Sequence, residues 1–192
     1  MQEPGPQKPR PRRVGLLFGV AAAVFVVDVI TKIIVVATLT PEHRVKVIGT
    51  LLTLDLVRNS GAAFSLGPGA TILFTLIAVG VIIFIVRTSR RLHSLAWAVT
   101  FGLLLGGAAG NLTDRLLRSP GVFRGEVVDW VQLPHWPVFN VADSCIVCGG
   151  ILAVVLAARG IRLDGTRETR AAGGEDAARG TAGGAQAGDS QT

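Results

Sequence analysis

Four stretches of this chain run nearly free of charge, and the polar residues fall between them or near their ends. Val14 to about Thr38 is broken only by Asp28, Thr31 and Lys32, and about Ala70 to Val86 carries no charge at all. Two further runs extend from about Leu92 to Asn111 and from about Val138 to Ala158. Each is close to the ~20 residues that a helix needs to cross a hydrocarbon core. Inside that core only helices and closed barrels satisfy the backbone, and these runs are too long for barrel strands. The first run is also too long for a signal-peptide h-region, and no small-x-small cleavage site closes it, so it reads as a retained span. The pattern predicts an all-α integral membrane protein, a four-transmembrane-helix bundle. One connecting segment has a different period. Val45-Lys46-Val47 and Leu52-Thr53-Leu54-Asp55-Leu56 alternate in steps of two around Gly49-Thr50, which predicts a small β-hairpin on the membrane surface.

Composition agrees with the spans: 49% of the residues are hydrophobic, and the mean hydropathy is +0.52. The formal charge of +6 and a pI near 10.6 raise the question of nucleic acid. The basic residues form no continuous face of the kind such binding requires. Lys8, Arg10, Arg12 and Arg13 precede the first span, Arg87, Arg90 and Arg91 fill the short link between the second and third, and Arg159 and Arg162 follow the fourth. All three segments fall on one side of a four-span bundle, and the positive-inside rule makes that side cytoplasmic. The longer loops, about 39–69 and 112–137, then lie outside. Residues 1–13, rich in Pro and Arg, and 159–192, rich in Gly, Ala and charge, are expected to be disordered cytoplasmic extensions of a 14–158 membrane domain. Cys145 and Cys148 form a C-x-x-C inside an apolar run, with no second Cys or His pair at ligand spacing. They read as two small buried hydrophobes, and neither a metal nor a cofactor is expected.

Ionisable groups in or near a span carry a large desolvation cost, so each requires a reason. Asp28 and Lys32 lie four apart on one face of the first span, either as a self-neutralising pair or as part of a functional site. Gly106 and Gly110 at the end of the third span are a small-xxx-small pair that admits a close helix neighbour. Asn111, Asp114 and Arg115 follow on one face, and an Asp114–Arg115 pair that anchors the helix end accounts for two of the three. Asn140 stands where an N-cap of the fourth span belongs, and Asp143 in its first turn suits the helix dipole. Asp129, beside Trp130 in the preceding loop, gives Asp143 a second carboxylate within reach of the same boundary. Two carboxylates brought together cannot both ionise, so one keeps a proton near neutral pH. The ionised member then takes a proton from water, while the protonated one polarises a carbonyl and later supplies the leaving amine. No Ser–Lys or Ser–His arrangement competes, and the H-E-x-x-H motif of metalloproteases is absent.

Five motifs stand in order along residues 14–158: Asp28-x-x-Thr31-Lys32, Asn59-x-Gly61-Ala62-Ala63-Phe64, Gly106-Gly107-x-x-Gly110-Asn111-x-x-Asp114-Arg115, Val127-Val128-Asp129 and Phe139-Asn140-x-Ala142-Asp143-Ser144. In register with four spans, they resemble the lipoprotein signal peptidases (signal peptidase II). The resemblance implies a multi-pass protein of the bacterial cytoplasmic membrane that cleaves diacylglyceryl-modified prolipoproteins just before the lipidated cysteine. It implies Asp129 and Asp143 as the catalytic pair at the extracytoplasmic face. Asn59, Gly61, Asn111, Asp114, Arg115 and Asn140 would support the pocket, with Asp28 and Lys32 nearby. Lipids would be its neighbours and globomycin its inhibitor. Trp130 departs from the Phe or Tyr more usual in that family.

A small proton-coupled transporter also uses intramembrane Asp and Lys, but it needs polar groups along a path through the bilayer, and here they gather toward one face. A non-catalytic scaffold leaves the two outer aspartates surplus. The charge distribution makes a direct prediction. Reporters fused at Arg90 and at the C-terminus both give cytoplasmic signals, and an external signal at either reverses the orientation.

Overall fold

The computed structural model describes residues 11–61 and 70–167. Residues 1–10, the Ala62-Ala63-Phe64 part of the second motif and the tail from 168 onward lie outside the described residues. Among the described residues four helices are long and apolar enough to span a bilayer: α1 (Val14–Thr38), α2 (Ala70–Thr88), α3 (Leu95–Leu117) and α4 (Val141–Ala158). Three strands accompany them: β1 (Val45–Ile48), β2 (Leu52–Asn59) and β3 (Val127–Gln132).

Helix α1 is apolar outside and polar within. Phe18, Val27, Ile30 and Ile34 are exposed on the bundle surface, where lipid tails are the natural solvent. The buried stripe consists of Leu17, Ala21, Asp28, Lys32 and Val35, spaced by three, four or seven residues as one helix face requires. Helix α3 is the hub, packing against α1, α4 and α2. Its glycines make this possible. A Cβ on Gly106 would lie 2.6 Å from the carbonyl oxygen of Ala21 on α1, and one on Gly107 would lie 2.6 Å from the carbonyl oxygen of Ala142 on α4. Without side chains at these two positions, both neighbouring backbones come close enough for polar groups to meet across them. The small-xxx-small reading of Gly106 and Gly110 is thus realised against α1, and Gly102 extends the stripe by one more turn, against Val20.

The strands form one antiparallel sheet in the order β1-β2-β3. The hairpin occurs where the alternation placed it, turning through Gly49 at φ +50°. The third strand was not expected. It pairs Val57 with Asp129, Arg58 with Val128 and Asn59 with Val127, so a segment read as loop becomes the inner edge of the sheet. Leu56 and Val128 pack this sheet onto Val35 near the end of α1. At the opposite end of the bundle a wholly apolar cluster joins Leu17, Ile85, Leu92, Ala98, Phe101 and Leu105.

Several boundaries shift. Helix α3 starts at Leu95, capped by Ser94, and continues to Leu117, so Asn111, Asp114 and Arg115 sit within its last two turns. Helix α4 starts at Val141, after the expected Asn140 cap. Cys145 is half-buried and Cys148 exposed, both free, so the pair is not the two buried hydrophobes expected: Cys145 lies beside the packed Ala142–Gly149 side of α4, and Cys148 one step further round points outward. Residues 159–167, placed by composition in the disordered tail, fold back onto the start of α3. The backbone N–H groups of His93 and Ser94 both donate to the Leu163 oxygen at 2.9 Å, and Trp97 Nε1 donates to the Ile161 oxygen at 2.7 Å.

The glycine contacts can be tested with an internal control. Gly106→Ala forces a methyl against a backbone oxygen and is expected to cost about 1–3 kcal/mol, read as a lower unfolding midpoint in detergent. Gly80→Ala on α2, where nothing lies within 4 Å, is expected to be neutral or slightly stabilising.

Candidate active site

The ends of α1, α3 and α4 and the β2–β3 pair converge on one polar cluster. Its root is Lys32, 1% exposed, whose Nζ lies 2.8 Å from Asp28 Oδ2 and 2.9 Å from Asp114 Oδ2. Asp28 also accepts from the backbone N–H of Ala142 at 3.0 Å, which ties α1 to the first turn of α4. Asp114 accepts from Arg118 through Oδ1 and from the Val128 N–H at 3.3 Å, which ties α3 to β3. The expected Asp114–Arg115 pair does not form. Consecutive helix residues point about 100° apart, so Asp114 turns inward to Lys32 while Arg115 turns toward Phe74, with Cζ 5.6 Å from the ring centroid. The partner of Asp114 on its own helix is Arg118, one turn on, which the sequence reading did not single out.

From Lys32 the network continues through three asparagines. Lys32 Nζ donates to Asn111 Oδ1 at 3.0 Å, so the Asn111 amide must present its Nδ2 elsewhere, and it donates to Asp143 Oδ1 at 2.8 Å. Asn140 is the cap of α4: its Oδ1 accepts from the Asp143 N–H at 2.9 Å, and the Asp143 carboxylate returns the contact by accepting from the Asn140 N–H at 3.1 Å. The Asn140 Nδ2 is left to donate to Asp129 Oδ1 at 2.7 Å. Asn59, at the end of β2, has its Oδ1 filled by the Gly61 N–H at 2.8 Å and donates to Asp129 Oδ2 at 2.9 Å. Gly61 adopts φ +94°, a conformation that disfavours any side chain, and this brings its N–H back onto Asn59. Each amide oxygen is thus occupied by a donor, and each amide nitrogen faces a carboxylate. The structure brings all ten residues singled out from the sequence to this one end of the bundle: Asp28, Lys32, Asn59, Gly61, Asn111, Asp114, Arg115, Asp129, Asn140 and Asp143.

The two aspartates that Asn140 bridges are not equivalent. Asp143 lines a cavity of about 430 Å³ together with Asn59, Gly61, Asn111, Arg115 and Phe74. Asp129 lies behind, 2% exposed. Burial, and next the repulsion of Asp143, push the Asp129 carboxyl up to about 7, against the pull of the Asn59 and Asn140 hydrogen bonds and of Lys32. Such a pair holds one proton near neutrality and can both activate a water and protonate a departing group. Among the described residues no cluster of three or more His, Cys, Asp or Glu is placed to hold a metal.

The elevated carboxyl has measurable consequences. Carbon-13 NMR of Asp129 is expected to show a midpoint near 7 that falls in Asp143→Asn, where the repulsion is gone, and rises further in Asn59→Ala. Stability should follow the same group. Because its value lies above the ordinary 3.8, the folded state loses stability as pH rises from there toward 7 and levels off beyond.

Comparison with known proteins places this geometry. The profile of the family described as Signal peptidase (SPase) II matches residues 20–159. A lipoprotein signal peptidase of Streptomyces coelicolor is 54% identical over 155 residues, covering 81% of this chain and 76% of that protein. One from Rhodococcus jostii is also 54% identical, over 163 residues, covering 85% and 82%. A solved structure titled as a bacterial membrane enzyme, determined by the in meso method, superposes with a TM-score of 0.69 at 29% identity, over 79% of this chain and 93% of that one. With a family profile matched across most of its length and relatives this similar, the chain belongs to the signal peptidase II family.

Proposed function

We propose that this protein is an aspartic endopeptidase of the bacterial cytoplasmic membrane. It cleaves the signal peptide from diacylglyceryl-modified prolipoproteins just before the lipidated cysteine, with Asp129 and Asp143 as its catalytic pair. Membership of the family already makes it a peptidase of prolipoprotein signal peptides. The observation that carries the finer reading is the asymmetry of the two carboxylates. Asp143 stands on the cavity wall, Asp129 is buried behind it, and Asn140 bonds to both.

The chemistry follows from that asymmetry. Asp129, with its raised carboxyl, keeps the proton of the pair, and Asp143 faces the cavity, where it takes a proton from the attacking water. Asp129 donates to the carbonyl oxygen of the scissile bond, and Asp143 then passes its proton to the leaving amine. Arg115, on the same wall, has its Nη1 buried with no acceptor among the described residues, which suits it to hold a second substrate carbonyl. Phe74, Ile77 and Ala78 on α2 and Ile146 on α4 give the cavity apolar sides fit for acyl chains. Globomycin would occupy the same space and exclude water from the pair. The arginines at the other end of the bundle favour placing that end in the cytoplasm and this site at the extracytoplasmic face.

A transporter reading has less support. Among the described residues, the half of the bundle away from the aspartates packs around the apolar cluster of Leu17, Ile85, Leu92, Phe101 and Leu105, and the buried ionisable groups gather at the other end.

Purified protein with a lipidated prolipoprotein peptide tests the assignment. Asp129→Asn and Asp143→Asn are each expected to lower cleavage by roughly 10²–10⁴-fold while keeping the helix content of the parent. Near-normal cleavage by either folded variant would sink the pair.

A further inference from the structure

At the end of the bundle opposite the aspartates lies a second cavity, of about 770 Å³, between α2, α3, α4 and the turn that follows α4. Among the described residues α2 and α4 do not pack closely against each other, so this space is a groove open toward the bilayer. Its inner wall is aromatic and ordered. Phe84 meets Phe101 edge to face with centroids 6.4 Å apart, and Trp97 leans on Phe101 at 5.3 Å. Ala153 and Ala157 of α4 keep the facing wall low.

The mouth of the groove differs in character. The turn through 159–167 closes its end and is fixed there by the bonds from Trp97, His93 and Ser94. That turn places Arg162 on the same cavity as Arg91 from the α2–α3 link. Around them, residues 11–13, 87–93 and 159–167 hold eight arginines and one acidic residue, Asp164. An apolar slot of this depth with a guanidinium-rich rim complements a molecule with a long hydrocarbon part and an anionic head. A signal-peptide helix running the full length of the bundle would bring its own basic n-region to this rim, where like charges repel. A phospholipid with an anionic headgroup meets both demands, as basic pockets between spans do elsewhere.

We propose that this groove is a binding site for one anionic phospholipid, with an acyl chain along Phe84, Phe101 and Ala153 and the phosphate between Arg91 and Arg162. The site is independent of the peptidase chemistry. It makes the folded turn after α4, and not only the aspartate end, a part of the protein that reads the membrane.

Tryptophan fluorescence can locate the lipid. The chain has three tryptophans. In the full-length protein carrying Trp130→Phe and Trp136→Phe, Trp97 remains alone beside the groove. In neutral detergent, phosphatidylglycerol brominated on the chain segment nearest its headgroup is expected to quench Trp97 saturably. Its affinity should be roughly ten- to thirtyfold above that of the phosphatidylcholine counterpart. Arg91→Gln with Arg162→Gln should abolish that preference, whereas Arg12→Gln with Arg87→Gln, the same change of charge outside the groove, should retain it. Ala153→Phe, which fills the slot and spares the arginines, should remove the quenching itself, and circular dichroism checks that each variant is folded. Equal quenching by both lipids, or by a brominated diacylglycerol lacking phosphate, overturns the proposal. An equal loss in both arginine pairs also overturns it, because that would mark only a general attraction to the basic surface.

Discussion

The position of one ammonium group underlies the polar end of this molecule. Lys32 lies inside a helix bundle meant for hydrocarbon, and at a span centre an isolated charge of this kind costs about 2.5–3.5 kcal/mol even on the lenient insertion scale. It is tolerable because Asp28 sits one turn below and Asp114 comes from α3 to the other side. With Arg118 added, the cluster has two acids and two bases and no net charge. Every arm then fastens a different element: Ala142 of α4 through Asp28, Val128 of β3 through Asp114, and Asn111 through the lysine itself. Removing one partner of a buried pair commonly costs 3–5 kcal/mol, since the remaining charge stays behind unpaired. Here it would also release the element that the lost arm fastens.

Downstream of that cluster the asparagines act as one-way connectors. An amide has an accepting end and a donating end, and which end faces a carboxylate is decided by what occupies the other. Lys32 fixes the choice for Asn111, the Asp143 N–H for Asn140 and the Gly61 N–H for Asn59. The four oxygens of the two aspartates thereby all receive N–H groups. On Asp129 the hydrogen bonds from Asn59 and Asn140 by themselves favour the ionised form. Burial of Asp129 beside Asp143 works against them and prevails.

Much of this was legible in the sequence because it is local. The spans follow from run length, the hairpin from a two-residue alternation around Gly49, and the Asn140 cap from its place before Val141. Residues from distant parts of the chain were grouped by the family resemblance and by the cost of charge in lipid. What remained hidden depends on neighbours far along the chain. Strand β3 exists because β2, some 70 residues earlier at Asn59 and Asp129, offers it an edge; Val127-Val128 beside Glu126 carried too little signal alone. The turn after α4 has a loop composition, and it is held by Trp97, 64 residues before Ile161. The choice of Arg118 over Arg115 as partner for Asp114 is a matter of one helical turn, invisible until the neighbours of α3 are in place.

Helix α2 meets its neighbours differently from the rest. It leans on α3 along one side and leaves α4 at a distance, and the aspartate cavity opens into the gap between them. Under the proposed function, a substrate anchored by its own acyl chains would need no aqueous route to such an opening, because it would arrive by sliding within the leaflet. Encounter is then a two-dimensional search, and its rate scales with the number of substrate molecules per unit area of membrane. Turnover in a cell should therefore respond to crowding and lateral mobility in the bilayer, quantities that no concentration in water describes.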